Sequence, residues 1–447
     1  MKNSVLQFYN SLFPGNRLFI SLAGCIVLYL FSFFQPRMAL LPELGTGMLV
    51  LLLLGDLFLL YGKAGPLTAV RLLPDRLSNG DLNEIRLTLE SRYGFEIRAG
   101  IIDEIPFQFQ QRNLWISCRV GPGGLQQLSY TLRPVERGAY LFGMLRVYVR
   151  SPLGLVARRM NFGEEKEIAV YPSFLQLRRF ELMAAANRLS EAGLKKIRQA
   201  GNSSEFDQVR NYVNGDDYRT LNWKATARKG EMMVNSYVAE KSRQVHCIID
   251  KSRAMKMPFD GLSLLDYAIN ASLALSGIIL QKQDKAGLIT IAAQTDTLVA
   301  ADRKPGQLGK LMEALYREKT RYLEMNGEAL HLSIRKGVRQ RSLLIFFTNF
   351  ESMHALQRQL PYLKSIARNH LLLLILFENT GLKTIRETPA ATVSDIYLKT
   401  IAAKFDYEKK LMVRELSRHG IRALLTTPEQ LTVNAINAYL NLRHTAL

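Results

Sequence analysis

The chain has 447 residues, 48% of them hydrophobic and 22% charged, and 59 Lys and Arg against 39 Asp and Glu give a formal charge of +20. That apolar content, with 30 Gly and 15 Pro, excludes a disordered or collagen-like chain and predicts two or three domains. The three scattered cysteines, Cys25, Cys118 and Cys247, exclude a disulfide framework or a Cys-x-x-Cys zinc site and fit a reduced setting.

Residues 1–62 carry Lys2, Arg17 and Arg37 against Glu43 and Asp56, a net charge of +1, so the rest of the chain carries +19. An uncharged apolar stretch runs between Arg17 and Gln35, and a second, from Leu44 to Tyr61, is interrupted only by Asp56. A helix that crosses a bilayer needs roughly 20 mostly apolar residues, so residues 1–62 are expected to form a transmembrane helical hairpin. A carboxylate in lipid costs roughly 3 kcal/mol, which puts Asp56 near the interface or against the partner helix. Lys and Arg concentrate outside the hairpin, with Arg37 alone in its link. By the positive-inside rule both ends lie in the cytoplasm, and the basic body sits beside the anionic lipids of the cytoplasmic membrane.

Residues 63–175 alternate apolar and polar positions in short runs, among them Asn83–Leu89, Leu114–Val120 and Leu145–Val149. Turn signals separate them: Asn79-Gly80, Gly121-Pro122-Gly123-Gly124, Arg137-Gly138 and Ser151-Pro152-Leu153-Gly154. This period of two predicts an antiparallel β-sandwich, immunoglobulin-like in type, serving as a spacer or binding module.

Residues 243–447 read differently. Continuous apolar runs at 244–250, 286–291, 342–349, 371–377 and 422–425 alternate with helical stretches at 263–280, 307–316, 396–418 and 428–441. That order predicts an α/β domain with a parallel, doubly wound sheet. Ligands of such sheets bind beyond the carboxyl ends of the strands, where Asp250 and Asn349 stand. The loop Asp250-Lys251-Ser252-Arg253-Ala254 resembles the first loop of a von Willebrand factor A domain, whose Asp-x-Ser-x-Ser supplies oxygens to a divalent cation. The resemblance implies Asp250, Ser252 and Asn349 as a degenerate set of Mg²⁺ ligands. Ala254 replaces the second hydroxyl, Asn349 replaces a carboxylate, and Lys251 and Arg253 add positive charge nearby. The expectation is a fold kept as a docking surface without a cofactor; the alternative is a metal-dependent ligand receptor.

The connecting segment, 176–242, holds the densest pattern: Glu205, Phe206, Arg210, Tyr212, Gly215, Asp216, Asp217, Arg219, Trp223 and Arg228. Its Arg and acidic residues can form bidentate pairs above Phe206, Tyr212 and Trp223. The preferred reading is an ion-paired clasp fixing the α/β domain to the sandwich, followed by partner recognition. This signature resembles that of the bacterial "domain of unknown function 58" family, as do Arg137-Gly138-Ala139-Tyr140, Ser151-Pro152-Leu153-Gly154-Leu155 and Val170-Tyr171-Pro172. The resemblance implies a membrane-anchored partner of MoxR-type AAA+ ATPases, acting in chaperone-like assembly or envelope maintenance. The six histidines lack metal-type spacing, and no nucleophile elbow or phosphate loop occurs, so no enzyme is expected. Lys and Arg are scattered and no nucleic-acid module is present, so no nucleic acid is expected as a partner.

Overall fold

The two N-terminal apolar runs form helices α1 (Asn16–Phe34) and α2 (Leu40–Tyr61). The structure, a computed structural model, describes residues 8–35, 40–62, 65–111, 114–185, 205–213, 216, 218, 221–238, 242–320, 322–390 and 392–445. Two units divide it, Met1–Tyr171 and Pro172–Leu447.

In the first unit both helices are long and apolar enough to cross a membrane, and no residue of α1 is buried. The alternating segments become strands β1 (Leu12–Pro14), β2 (Leu67–Leu72), β3 (Arg76–Ser78), β4 (Asn83–Ser91), β5 (Ile97–Asp103) and β6 (Trp115–Val120). They continue as β7 (Leu125–Leu132), β8 (Gly138–Phe142), β9 (Leu145–Arg150), β10 (Val156–Phe162) and β11 (Lys166–Tyr171). These assemble into sheets of order β1-β10-β9-β5-β6, β2-β4-β7 and β3-β11-β8. All described pairings are antiparallel except β3 with β11. On β4 the predicted period holds: Ile85, Leu87 and Leu89 are fully buried and their neighbours face outward.

Helix α2 belongs to this unit's core. Leu60 is fully buried among Leu67, Leu89, Ile97 and Val149, with Leu53 and Leu57 packed on the same cluster. Of the two places expected for Asp56, the partner helix is ruled out, since the residue meets the sandwich. Its Oδ2 accepts from the backbone N–H of Leu155 and of Val156, each at 2.9 Å, and its Oδ1 accepts from the Ser151 hydroxyl. Arg17, at the start of α1, donates to the carbonyls of Pro152 and Leu153 in the same loop. Gly15 donates to the Leu155 carbonyl at 2.8 Å, and a Cβ there would lie 2.6 Å from the Gly154 oxygen. At the far end of α2, the Tyr93 hydroxyl and the Arg158 guanidinium satisfy the Leu60 carbonyl, one of the terminal acceptors a helix leaves open.

The second unit begins earlier than the expected boundary at 175. Helix α3 (Phe174–Ala185) buries Leu177 and Phe180 in the core of the α/β unit. The Ser173 N–H donates to Asn270 Oδ1 at 2.9 Å. The segment read as a connector forms the antiparallel pair β12 (Glu205–Asn211) and β13 (Met233–Val238), with α4 (Trp223–Lys229) between them in sequence.

The main sheet comprises β14 (Gln244–Asp250), β17 (Lys285–Ile291), β18 (Thr295–Asp302), β19 (Leu343–Phe347), β20 (Leu371–Phe377) and β21 (Arg422–Thr426). The short pair β15 (Pro258–Phe259) and β16 (Leu262–Ser263) stands apart. Spatial order is β18-β17-β14-β19-β20-β21, parallel except for the reversed edge strand β18. On one face lie α5 (Leu264–Gln281), α6 (Gln307–Tyr316) and α11 (Leu431–Thr445), against Cys247, Ile249, Ile345 and Phe347. On the other lie α7 (Gly327–Gly337), α8 (Met353–Asn369) and α10 (Val393–Arg418), against Ile248, Leu344 and Phe346. Helix α9 (Thr380–Glu387) precedes α10. Alternate residues of each strand feed opposite faces, so both must be apolar, and the doubly wound expectation holds. Helix α5 also has membrane-like length and hydropathy, yet 78% of its apolar window is buried in this core.

Candidate functional site

Chain order reverses between β14 and β19, and such a switch point opens a crevice beyond the strand ends. Asp250 ends β14, and Thr348 and Asn349 follow β19. Asp250 is 1% exposed. Its Oδ1 accepts from the Ser252 N–H at 2.8 Å and its Oδ2 from the Thr348 hydroxyl at 2.7 Å. Burial is the dominant influence on this carboxyl and raises its pKa to about 6, against the pull of those two donors.

Lys251 turns away from the crevice, contrary to the expectation that its charge faces the ligand set. Its ammonium is 2.6 Å from Asp296 Oδ2 and also pairs with Glu318, which accepts from the Thr290 hydroxyl. Arg253 does stay at the crevice, bridging exposed Glu324 and Glu351, and Arg358 also reaches Glu324.

The sequence reading missed Lys409, on α10. Its ammonium donates to Asn349 Oδ1 and, at 2.6 Å, to the Phe350 carbonyl. Burial depresses its pKa to about 8, with Glu351 pulling the other way. Its signal in the sequence is a lysine on an apolar helical stripe, seven residues after Ala402 and three before Met412, both buried. A divalent cation of the Mg²⁺ type wants six oxygens in near-octahedral array. Here Asp250 is committed to two protein donors, Asn349 carries an ammonium, and Ala254 offers no side-chain oxygen. This donor set does not suit a divalent cation. His246 and Cys247, on β14 below the crevice, add no chemistry. Burial lowers the imidazole to about 4, leaving it neutral, and raises the thiol to about 12, leaving it unreactive.

In the signature, Arg210 and Asp216 form the expected bidentate pair, at 2.8 and 2.6 Å, and Asp216 also accepts from the Val213 N–H. The Arg210 guanidinium, with that N–H, holds the Asp216 carboxyl below its ordinary range. Tyr212 stacks on Tyr218 with centroids 5.8 Å apart. Asn222 caps α4 by accepting from the Ala225 N–H. One expectation fails. Trp223 is 68% exposed and does not pack beneath the charges. Arg228 is exposed in the last turn of α4, where its charge suits the helix dipole, and it has no ion pair among the described residues. Gly215, Asp217 and Arg219 lie outside the described residues, as do the side chains of Glu205 and Phe206, whose backbones begin β12.

The stretch from within β12 to within β20 is similar to a known family. Residues 208–374 match the family described as "Protein of unknown function DUF58". That DUF58 match takes in Arg210 to Arg228, Asp250, Ser252 and Asn349, and stops short of Lys409. A stretch of 124 residues is 30% identical to the "Uncharacterized protein YeaD" of Bacillus subtilis (strain 168), covering 28% of this chain. The chain spans 31% of the length of that curated relative. Among solved structures, the PapD-like domain 7 of human CEP192 is similar at a TM-score of 0.19 and 15% identity, covering 25% of this chain and 91% of that one. The CARDB domain of PF1109 from Pyrococcus furiosus gives 0.16 and 14%, covering 23% and 86%. Proximal thread matrix protein 1 from the mussel byssus gives 0.25 and 8%, covering 44% and 46%.

Proposed function

We propose that the protein is a membrane-anchored, non-enzymatic adaptor that engages a MoxR-type AAA+ ATPase in chaperone-like assembly or envelope maintenance. The observation that carries this reading is the exposed aromatic surface of the signature. Trp223 and Tyr218 are 68% and 70% exposed, in the same signature as the Arg210–Asp216 pair. Tryptophan, tyrosine and arginine are the residues that dominate binding energy at protein interfaces. Large rings left in water favour partner recognition over a structural clasp. The α/β unit is read as von Willebrand factor A-like, with its metal function lost. Support comes from the Asp250–Ser252 loop at the switch point and from the lysine on Asn349. Helices α1 and α2 are read as the anchor in the cytoplasmic membrane, with the body on the cytoplasmic side against anionic lipids; the Lys and Arg distribution supports that side.

The test is affinity capture with the full chain in detergent from a membrane extract, followed by mass spectrometry. A MoxR-like ATPase is expected among the captured proteins. Its repeated absence, with the bait folded, overturns the reading. Arg210→Met is expected to reduce ATPase recovery severalfold and to leave the melting midpoint unchanged, since exposed pairs contribute little to stability. A fallen midpoint with undiminished recovery would instead show the pair to be structural.

A further inference from the structure

Next to the crevice, and sharing Arg253, Ala254, Asn349 and Glu351 with it, lies a cavity of about 370 Å³, within the size range of small-molecule sites. Its apolar wall is formed by Met257, Phe259, Leu264, Phe377, Ala402 and Phe405. Lys409 lines the same cavity. An ammonium has three donors, and Lys409 gives one to Asn349 and one to the Phe350 carbonyl. Both acceptors are neutral, and among the described residues Lys409 makes no ion pair. A largely buried cation without a counter-charge is costly, so this group is built to receive an anion.

Of the acids around the cavity, Glu351 attracts the Lys409 ammonium without pairing with it. Glu351 is paired with Arg253, and Asp406 with Arg386 and Lys410. Glu378 also lines the wall. Arg253, Lys383 and Arg386 line the same cavity, so its lining is not acidic.

We propose that this cavity binds a small amphipathic carboxylate, whose carboxylate takes the free N–H of Lys409 while its apolar body lies against Phe377 and Phe405. A phosphate leaves the apolar wall unfilled, and a fully apolar ligand leaves the ammonium unpaired. The proposal is independent of the ATPase reading, because the signature surface takes no part in it.

The test uses the full chain in lipid nanodiscs, with empty nanodiscs as the reference for partitioning. Hydrocinnamate and its uncharged amide are titrated by ligand-observed NMR. Hydrocinnamate is expected to bind at millimolar concentration or below, with the amide weaker by about tenfold or more, the usual worth of a charge-assisted hydrogen bond. Lys409→Met is expected to weaken the acid by about tenfold and to leave the amide unchanged. Thr380→Trp keeps Lys409 and places an indole in the lining, so it should abolish binding of the acid even if Lys409→Met fails to fold. Equal affinity for acid and amide overturns the proposal. So do no binding of hydrocinnamate at millimolar concentration, and unaltered binding by folded Lys409→Met.

Discussion

Asp56→Ala is expected to destabilise the sandwich unit by about 3–5 kcal/mol, because it strands buried donors whose acceptor is lost. Those donors are the backbone N–H groups of Leu155 and Val156 and the Ser151 hydroxyl. Asp56 itself is fully buried, so water does not replace the lost acceptor. Asp56→Asn is expected to cost far less. Its oxygen can keep both N–H groups, and only the Ser151 contact is lost, since that hydroxyl already accepts from the N–H groups of Leu153 and Gly154. Hydrogen exchange at the Leu155 and Val156 amides reads the outcome directly. Large acceleration in the Ala variant and little in the Asn variant are expected. Equal acceleration in both would show that charge, and not acceptor geometry, holds α2 to the loop; none in either would remove the anchor.

Asp250→Asn is expected to act in the opposite sense and to stabilise the α/β unit at neutral pH. Native Asp250 keeps its proton up to about pH 6, whereas the unfolded chain releases it near the ordinary 3.8. Between those values the native state binds more protons than the unfolded one, so stability falls as pH rises. The contribution is complete below the unfolded value and lost once pH passes about 6, a change on the order of 3 kcal/mol. Asparagine carries no charge to bury. Its oxygen keeps the Ser252 N–H, and its amide donates to the Thr348 hydroxyl, which reverses. The variant's midpoint is expected to exceed the native one near neutral pH and to converge with it in acid. A native advantage that grows with pH would overturn the assigned cause, since it would mean that the ionised carboxylate is stabilising.

Both predictions turn on polar groups whose importance the linear pattern could not rank. The sandwich strands were legible because period-two alternation on β4 alone separates Ile85, Leu87 and Leu89 from their outward neighbours. The doubly wound sheet was legible because β14, β19 and β20 are apolar on both faces, a pattern that only helices on both sides can satisfy. The reversed strand β18 was not, since Thr295–Asp302 mixes inward and outward positions at an exposed edge. Trp223 was misplaced because an aromatic within a dense signature reads as core, whereas its real position depends on which side of α4 is covered.

The sequence alone determined what local periodicity and composition dictate: two membrane-length apolar helices, an alternating β region, an α/β unit, and Asp250 and Asn349 at strand ends. Burial, partner choice and charge compensation were decided by the tertiary structure. Lys251 and Lys409 are indistinguishable as residue types, yet one is neutralised by Asp296 and Glu318 while the other faces neutral acceptors at the edge of a cavity. The same holds for Asp56, an apparent flaw in an apolar run until the loop at Ser151–Val156 brings three donors to it. Hydrophobic pattern is read from near neighbours in the chain. The energy of a buried charge depends on groups roughly a hundred residues away, which only the fold brings within hydrogen-bonding distance.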